Sequence, residues 1–257
     1  MPAENFPFCT IDPSTGVVPV PDPRIDKLVQ MYKPEKVTPT AVEFVDIAGL
    51  VKNASQGEGL GNKFLSHIRE VDAIAQVVRC FEDPNVVHVH GQVDPKEDIS
   101  GINTELVLAD LEIVTKRLER EEKLAKTGGK EVQERVTILK EYKGMLEQGK
   151  AIREKKWEEP QQKILKELNL MTAKPIVLVA NTSEGGENNP LVEKVKKIAL
   201  EQNTEAVVLC GKLEAELAQL PAEEKKEFLK EMGLQEPGLN RLIRAGYKLL
   251  QLVTYFT

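Results

Sequence analysis

Four short clusters in the sequence carry the residue types that phosphate and nucleobase chemistry require. The first is Asp46-Ile-Ala-Gly49, which follows an apolar run. In phosphate-transfer sites an aspartate at such a point holds magnesium, usually through water, and the glycine N–H meets the terminal phosphate. The second is Thr10 in Asn5-Phe-Pro-Phe-Cys-Thr10, whose hydroxyl lies upstream of that aspartate and can complete a magnesium shell. The third is Asn181-Thr-Ser-Glu184. Its asparagine amide can bond a base edge or tie loops together, and a carboxylate three residues on can accept base N–H groups. The fourth, Cys210-Gly-Lys212, offers backbone N–H groups beside a glycine that permits close approach to a base. Taken singly each is bland, since D-x-x-G is common by chance and a threonine in a proline-rich segment is ordinarily a turn residue.

These clusters must be positioned by secondary structure, and the hydrophobic pattern supplies it. Eight prolines fall within the first 40 residues, which predicts an extended, turn-rich segment with no helix. Ala41–Val45 reads as a strand ending at Asp46, and a glycine-dense stretch from Gly49 to Gly61 leads into a helix over Asn62–Glu70. Ala73–Cys80 is apolar almost throughout, as a parallel strand covered on both faces would be. From Ile102 to about Lys126 the residues favour helix, with Val107, Leu111, Val114 and Leu118 spaced as in a coiled-coil seam. Thr127-Gly-Gly-Lys130 breaks that run, and Val132, Val136, Leu139 and Leu146 repeat the spacing apart from Lys143. The pair predicts an antiparallel helical hairpin. Further strands are read over Pro175–Asn181 and Ala206–Cys210. Helices are read over Gln161–Leu168, Leu191–Gln202, Leu213–Leu220, Ala222–Met232 and Leu239–Val253. The last carries a stripe of Leu239, Leu242, Ile243, Leu249, Leu250 and Val253. Strands alternating with helices imply a parallel α/β sheet interrupted by the hairpin. All four clusters then sit at strand ends, where open α/β sheets bind ligands, and in the chain order of a guanine-nucleotide-type P-loop domain.

Composition narrows the remaining classes. With 41% hydrophobic residues the 257-residue chain is too apolar to be disordered, and it can form one large domain or a domain with an insertion. A formal net charge of −6 argues against a general nucleic-acid coat. No apolar run approaches the roughly 18–20 residues of a membrane span, and no secretory signal opens the chain, so a cytoplasmic location is expected. Cys9, Cys80 and Cys210 are odd in number and far apart, which predicts neither a disulfide nor a zinc site. His88 and His90 would share one face of a strand, but no third ligand lies near and they read as packing or loop residues.

Longer motifs carry a resemblance. Asn5-Phe-Pro-Phe-Cys-Thr-Ile-Asp12, Val17-Val-Pro-Val-Pro-Asp22, Asp46-Ile-Ala-Gly-Leu-Val-Lys52 and Gly57-Glu-Gly-Leu-Gly-Asn-Lys-Phe-Leu-Ser-His67, with Asn181-x-x-Glu184, resemble the YchF branch of the Obg-type P-loop NTPases over essentially the whole chain. The resemblance implies an Obg-type G domain with a mostly parallel sheet and an inserted antiparallel coiled-coil hairpin. It divides the chain into residues 1–101, 102–160 and 161–257. It also implies binding and magnesium-dependent hydrolysis of ATP, with GTP as the alternative, and association with the ribosome, its large subunit in particular. By resemblance Thr10 and Asp46 organise magnesium, Gly49 senses the terminal phosphate, and Asn181, Thr182, Glu184, Cys210, Gly211 and Lys212 hold the base. No membrane or disulfide partner is implied.

The departures are as informative. Guanine-specific relatives carry N-K-x-D; here Thr182 stands for the lysine and Glu184 for the aspartate. Adenine has no N1–H to donate to a carboxylate, so the main reward for guanine is weakened and ATP or relaxed specificity is expected. Leu50 stands where Ras-like enzymes place the glutamine that orients the attacking water, so no catalytic residue is named. No G-x-x-x-x-G-K-[ST] occurs in the sequence. The expectation is a chain lacking the first strand, the phosphate loop and the C-terminal TGS domain, and inactive by itself. The alternative reading is a truncated, non-catalytic binding protein.

Overall fold

A computed structural model of the chain describes residues 14–47, 60–83 and 92–257. The chain divides into two compact units. One comprises residues 13–46, 75–96 and 176–257, the other residues 1–12, 47–74 and 97–175.

The first unit holds the strands. Strands β1 (Ser14–Pro19) and β2 (Ala41–Asp46) pair antiparallel, with Ser14 opposite Asp46 and Pro19 opposite Ala41. Strands β3 (Ile74–Arg79), β4 (Ile176–Asn181) and β5 (Ala206–Leu209) form a separate sheet in that order. β4 and β5 are parallel, with Leu178 opposite Ala206. All of Ile176–Ala180 is buried, which accounts for the unbroken apolar run there.

Between β1 and β2 the chain forms helix α1 (Pro23–Tyr32), where the proline content predicts none. The reason is local: the Asp22 carboxylate accepts from Arg24 N–H at 3.0 Å as the N-cap, and Pro23 sits in the first turn, where it costs no hydrogen bond. Helices α6 (Pro190–Glu201), α7 (Gly211–Gln219), α8 (Ala222–Glu231) and α9 (Gly238–Leu249) complete the unit. Val177 and Val207 of the sheet pack with Ala245, Leu242 and Leu249 of α9. The α9 stripe is shorter than its spacing predicts. Gln251 adopts a left-handed conformation, and Leu252 N–H reaches Tyr247 O while Gln251 N–H reaches Lys248 O, the bonding of a Schellman stop. Val253 lies beyond that stop and is 82% exposed.

The second unit is helical. Helix α2 (Leu60–Glu70), helix α3 (Pro95–Ala125), helix α4 (Lys130–Glu147) and helix α5 (Gln161–Leu168) supply its core. The chain reverses at Thr127–Gly129 as the sequence predicts, and α3 starts seven residues before Ile102. Seam residues Val107, Val114, Leu118, Leu139 and Leu146 are all buried, but they do not pack only on each other. Ile152, Trp157, Ile164 and Leu170 close the same core, and Tyr142 meets Trp157 edge-on at 4.8 Å between ring centroids. A second cluster ties Leu106 and Ala109 of α3 to Leu65 and Ile68 of α2. The base of the hairpin is therefore shared between two hydrophobic clusters.

One buried polar group fixes that base. Asp110 is fully buried and accepts from Met171 N–H at 3.1 Å, Thr172 N–H at 2.7 Å and the Thr172 hydroxyl at 2.7 Å. Burial pushes its carboxyl above the ordinary aspartate range, and the bonds from Thr172 and Met171 oppose that shift only partly. A folded pKa above the unfolded one means that stability is greatest below the unfolded value, about 4, and is lost as pH rises through the folded one. Asp110→Asn removes this dependence and also loses an acceptor. Thermal melts should show the wild-type advantage over Asp110→Asn shrinking as pH is raised from about 4; an advantage that grows over this range contradicts the assignment.

Candidate functional site

The described part of the site is built at the C-terminal ends of β4 and β5. Asn181 is the last residue of β4, and its side-chain Oδ1 accepts from the Gly211 N–H at 2.9 Å. Thr182 N–H donates to Leu209 O at 2.9 Å, carrying the parallel ladder one step further. The two loops are thus joined twice. Gly211 permits this: a Cβ there would stand 3.3 Å from Asn181 Oδ1 and 3.5 Å from its Nδ2. Cys210, buried at the N-cap of α7, precedes it, and Lys212 follows in the first helical turn with its side chain exposed. Among the described residues no group bonds the Asn181 Nδ2, so that end of the amide remains a donor for a ligand.

Thr182 points inward. It is 2% exposed, its hydroxyl donates to Gly186 O at 2.9 Å, and it accepts from Asn189 Nδ2 at 3.0 Å. A lysine in the corresponding position of N-K-x-D flanks the base; this threonine is a strut inside the loop. Glu184, two residues on, lies exposed at the turn. The site end of β4 therefore presents a carboxylate on a loop that is braced from beneath.

Asn189 is the bracing residue that spacing alone does not single out. Its Nδ2 also donates to Cys80 O at 2.8 Å, beyond the end of β3, while its Oδ1 accepts Val192 N–H at 2.8 Å and caps α6. One side chain joins the end of β3, the 182–186 turn and a helix N-terminus. The sequence signal, an asparagine before Pro190 at a helix start, identifies the cap but not its two other bonds. Glu214 was likewise unsignalled: from α7 it accepts Gly238 N–H at 2.6 Å and Leu239 N–H at 3.1 Å, capping α9 across 24 residues of sequence.

Asp46 ends β2 with an exposed side chain and is opposite Ser14. Thr10 and Gly49, together with Cys9, His88, His90 and Leu50, lie outside the described residues. Among the described residues no cluster of three or more His, Cys, Asp or Glu side chains could hold a metal ion. Cys80 and Cys210 are buried, and no disulfide joins them.

Comparison with known proteins decides the family. A sequence model described as 50S ribosome-binding GTPase matches residues 1–117. The ribosome-binding ATPase YchF of Haemophilus influenzae is 51% identical over 256 residues, covering 99% of this chain and 70% of that protein. That of Bacillus subtilis is 53% identical over 260 residues, covering 98% and 70%. The chain belongs to the YchF family. The structure of the Schizosaccharomyces pombe YchF GTPase superposes with a TM-score of 0.84 at 38% identity, covering 98% of this chain and 70% of that one. The fold is thus the α/β type expected from the alternation of strands and helices, and the G-domain type that the resemblance implies. No helix among the described residues is long and apolar enough to cross a membrane.

In this YchF-family chain the loop brace sets a steric limit. A Cβ at Gly186 would fall 2.4 Å from Thr182 Oγ1 and 2.9 Å from Ser183 Oγ. Gly186→Ala should lower stability by about 1–3 kcal/mol through overpacking, and Asn189→Ala by a similar amount, about 1–3 kcal/mol, through loss of the cap and of buried partners. Chemical denaturation measures both. Wild-type stability in either variant would show that the brace does not hold the loop.

Proposed function

We propose that this chain carries the base- and magnesium-binding residues of a nucleotide-binding ATPase that works in association with the ribosome, contacting the large subunit, and that alone, with no G-x-x-x-x-G-K-[ST] in its sequence, it hydrolyses ATP negligibly. The single observation that carries this reading is about 50% identity across nearly the whole chain to proteins named ribosome-binding ATPase YchF. In this reading residues 1–101 and 161–257 form the nucleotide-binding part, and 102–160 the inserted arm. GTP is the alternative substrate, and the site of action is the cytoplasm.

Residue roles follow from type and place. Asn181, Glu184 and the Cys210–Lys212 loop hold the base, with Thr182 contributing by fixing the loop. The Asn181 amide, anchored at Oδ1, turns its donor end to a base acceptor, and Glu184 takes up an exocyclic amine. Asp46, a hard oxygen donor exposed at a strand end, suits magnesium, with the Thr10 hydroxyl as its second protein donor. When bound, magnesium neutralises charge on the phosphate oxygens. Gly49 offers its N–H to the terminal phosphate. Leu50 has no polar group with which to orient a water, so hydrolysis is slow without a further contribution.

Base choice is the test. A carboxylate extended by one methylene and a missing flanking lysine both remove contacts that guanine would use, so in a version of the chain restored with a phosphate loop ATP should bind at least as tightly as GTP. Glu184→Asp should shift the ATP-to-GTP affinity ratio toward GTP by about two- to tenfold, the range of one hydrogen bond. Equilibrium titration with labelled nucleotides reads both. A strong preference for GTP in the wild type overturns the reading.

A further inference from the structure

We propose that the outer edge of β5 is a docking groove for an acidic, extended segment of a partner protein. Three observations within one unit meet there. The first is the strand itself. β5 ends its sheet among the described residues, with β4 on one side only. In the parallel ladder Leu178 N–H bonds Glu205 O and Thr182 N–H bonds Leu209 O. The main-chain groups of Ala206 and Val208 therefore point away from β4. The second is a cleft of about 480 Å³ along that edge, floored by Ala206, Val207 and Val208.

The third is charge. Arg241, Arg244 and Lys248 follow one another on α9 at spacings of three and four, so they share a face, and all three line the cleft with Lys196 of α6. Arg244 pairs with Glu236, Lys248 with Glu205 at 3.2 Å and Lys196 with Glu193 at 2.7 Å. These pairs are at the surface, where an ion pair is worth little and can be exchanged. Arg241 differs. Its Nη2 donates to Val208 O at 2.9 Å, and no carboxylate pairs with it among the described residues. The cleft thus keeps a guanidinium fixed on a strand-edge carbonyl with its other donors unused. Glu187 and Glu205 are the opposing charges in the lining, so four cations face two anions in a chain whose net charge is −6.

The edge chemistry selects a peptide over a polyphosphate. Ala206 presents both an N–H and a C=O to the cleft, and only a ligand with alternating donors and acceptors satisfies both; a phosphate chain offers acceptors alone. An added strand does so, its alternate side chains reaching the apolar floor and the basic wall. Arg241 also occupies one edge carbonyl, which hinders indiscriminate strand addition and rewards an incoming carboxylate. Neither Asn181 nor Glu184 lines the groove, and the proposal does not depend on the nucleotide reading.

The test uses the full 257-residue chain and a fluorescein-labelled six-residue peptide alternating glutamate and valine. Fluorescence anisotropy should show saturable binding that weakens as salt is raised, and at least tenfold weaker binding of the same peptide with lysine for glutamate. Ala206→Pro removes one edge N–H at the first residue of an edge strand, a position where proline is tolerated. It should weaken the acidic peptide at least tenfold while the thermal midpoint stays close to that of the wild type. The double variant Arg241→Gln/Arg244→Gln should weaken binding and flatten its salt dependence. Equal binding of acidic and basic peptides, unchanged binding by Ala206→Pro, full displacement by equimolar tripolyphosphate, or no binding of the acidic peptide would each overturn the proposal.

Discussion

The arrangement at the candidate site depends on two parallel strands ending at the same height with nothing but a glycine between their loops. Asn181 accepts the Gly211 N–H at 2.9 Å beside a backbone position where a Cβ would stand 3.3 Å from the acceptor, close enough to force a small shift. The bond is a local one in space and a distant one in sequence, joining residues 30 apart. Its consequence is that one face of the asparagine is used to hold the second loop, which leaves the other as a donor in a fixed direction. A neutral hydrogen bond contributes only about 1 kcal/mol net, so its value lies in orientation. Everything proposed for base recognition inherits that orientation.

Beneath this contact lies a second tier that touches no ligand. Asn189 and Thr182 satisfy each other and, between them, carbonyls on Cys80 and Gly186. Each of these polar atoms is partly or fully removed from water, and each would cost about 1–3 kcal/mol if left without a partner. The turn that carries Glu184 is therefore held by satisfied polar groups while the carboxylate itself stays in solvent. A rigid loop with an exposed functional tip loses less entropy on binding than a mobile one. The second unit uses the same device elsewhere. Lys174 donates to the carbonyls of Arg69 and Val71 at the end of α2, where a cation also suits the helix dipole.

What could be read in the sequence and what could not divide along range. The Gly-Gly break, the bounds of α5 and the buried β4 follow from periodicity and turn residues within a dozen positions, and the structure places them as read. The chemistry of Asn181 and Gly211 was legible as types suited to a base, including the alternative that the amide ties loops together. The inward turn of Thr182 was not, because the bonds that decide it depend on Asn189 and on a carbonyl of another strand. Helix α1 shows a different failure. Its start signal, Asp22 before Pro23, is present in the sequence, but proline density across the segment outweighed it. In α9 the apolar residues continue past Leu249 with helical spacing, yet the left-handed Gln251 ends the helix and leaves Val253 in water. An apolar stripe reports a face only as far as the backbone continues.

The edge strand shows how position in a fold assigns different work to similar residues. Val177 and Val207 both pack against α9, but β4 has neighbours on two sides and β5 on one. Among the described residues β4 therefore has a ladder on each side. The main chain of β5 is half used, and the residues around it respond in charge, with Arg241 covering Val208 O and Arg244 and Lys248 continuing along the same helix face. A basic stripe placed over an open edge repels cationic strands and attracts anionic ones, so the guard against aggregation and the selectivity for a partner arise from one arrangement. Glu214 then sets where that stripe lies, because it caps α9 at Gly238 and Leu239, and Gly238 lies against Leu209 at the end of β5. The helix that bears the cations is thus fixed at its first turn to α7 and to the end of β5, and its register along β5 is set there.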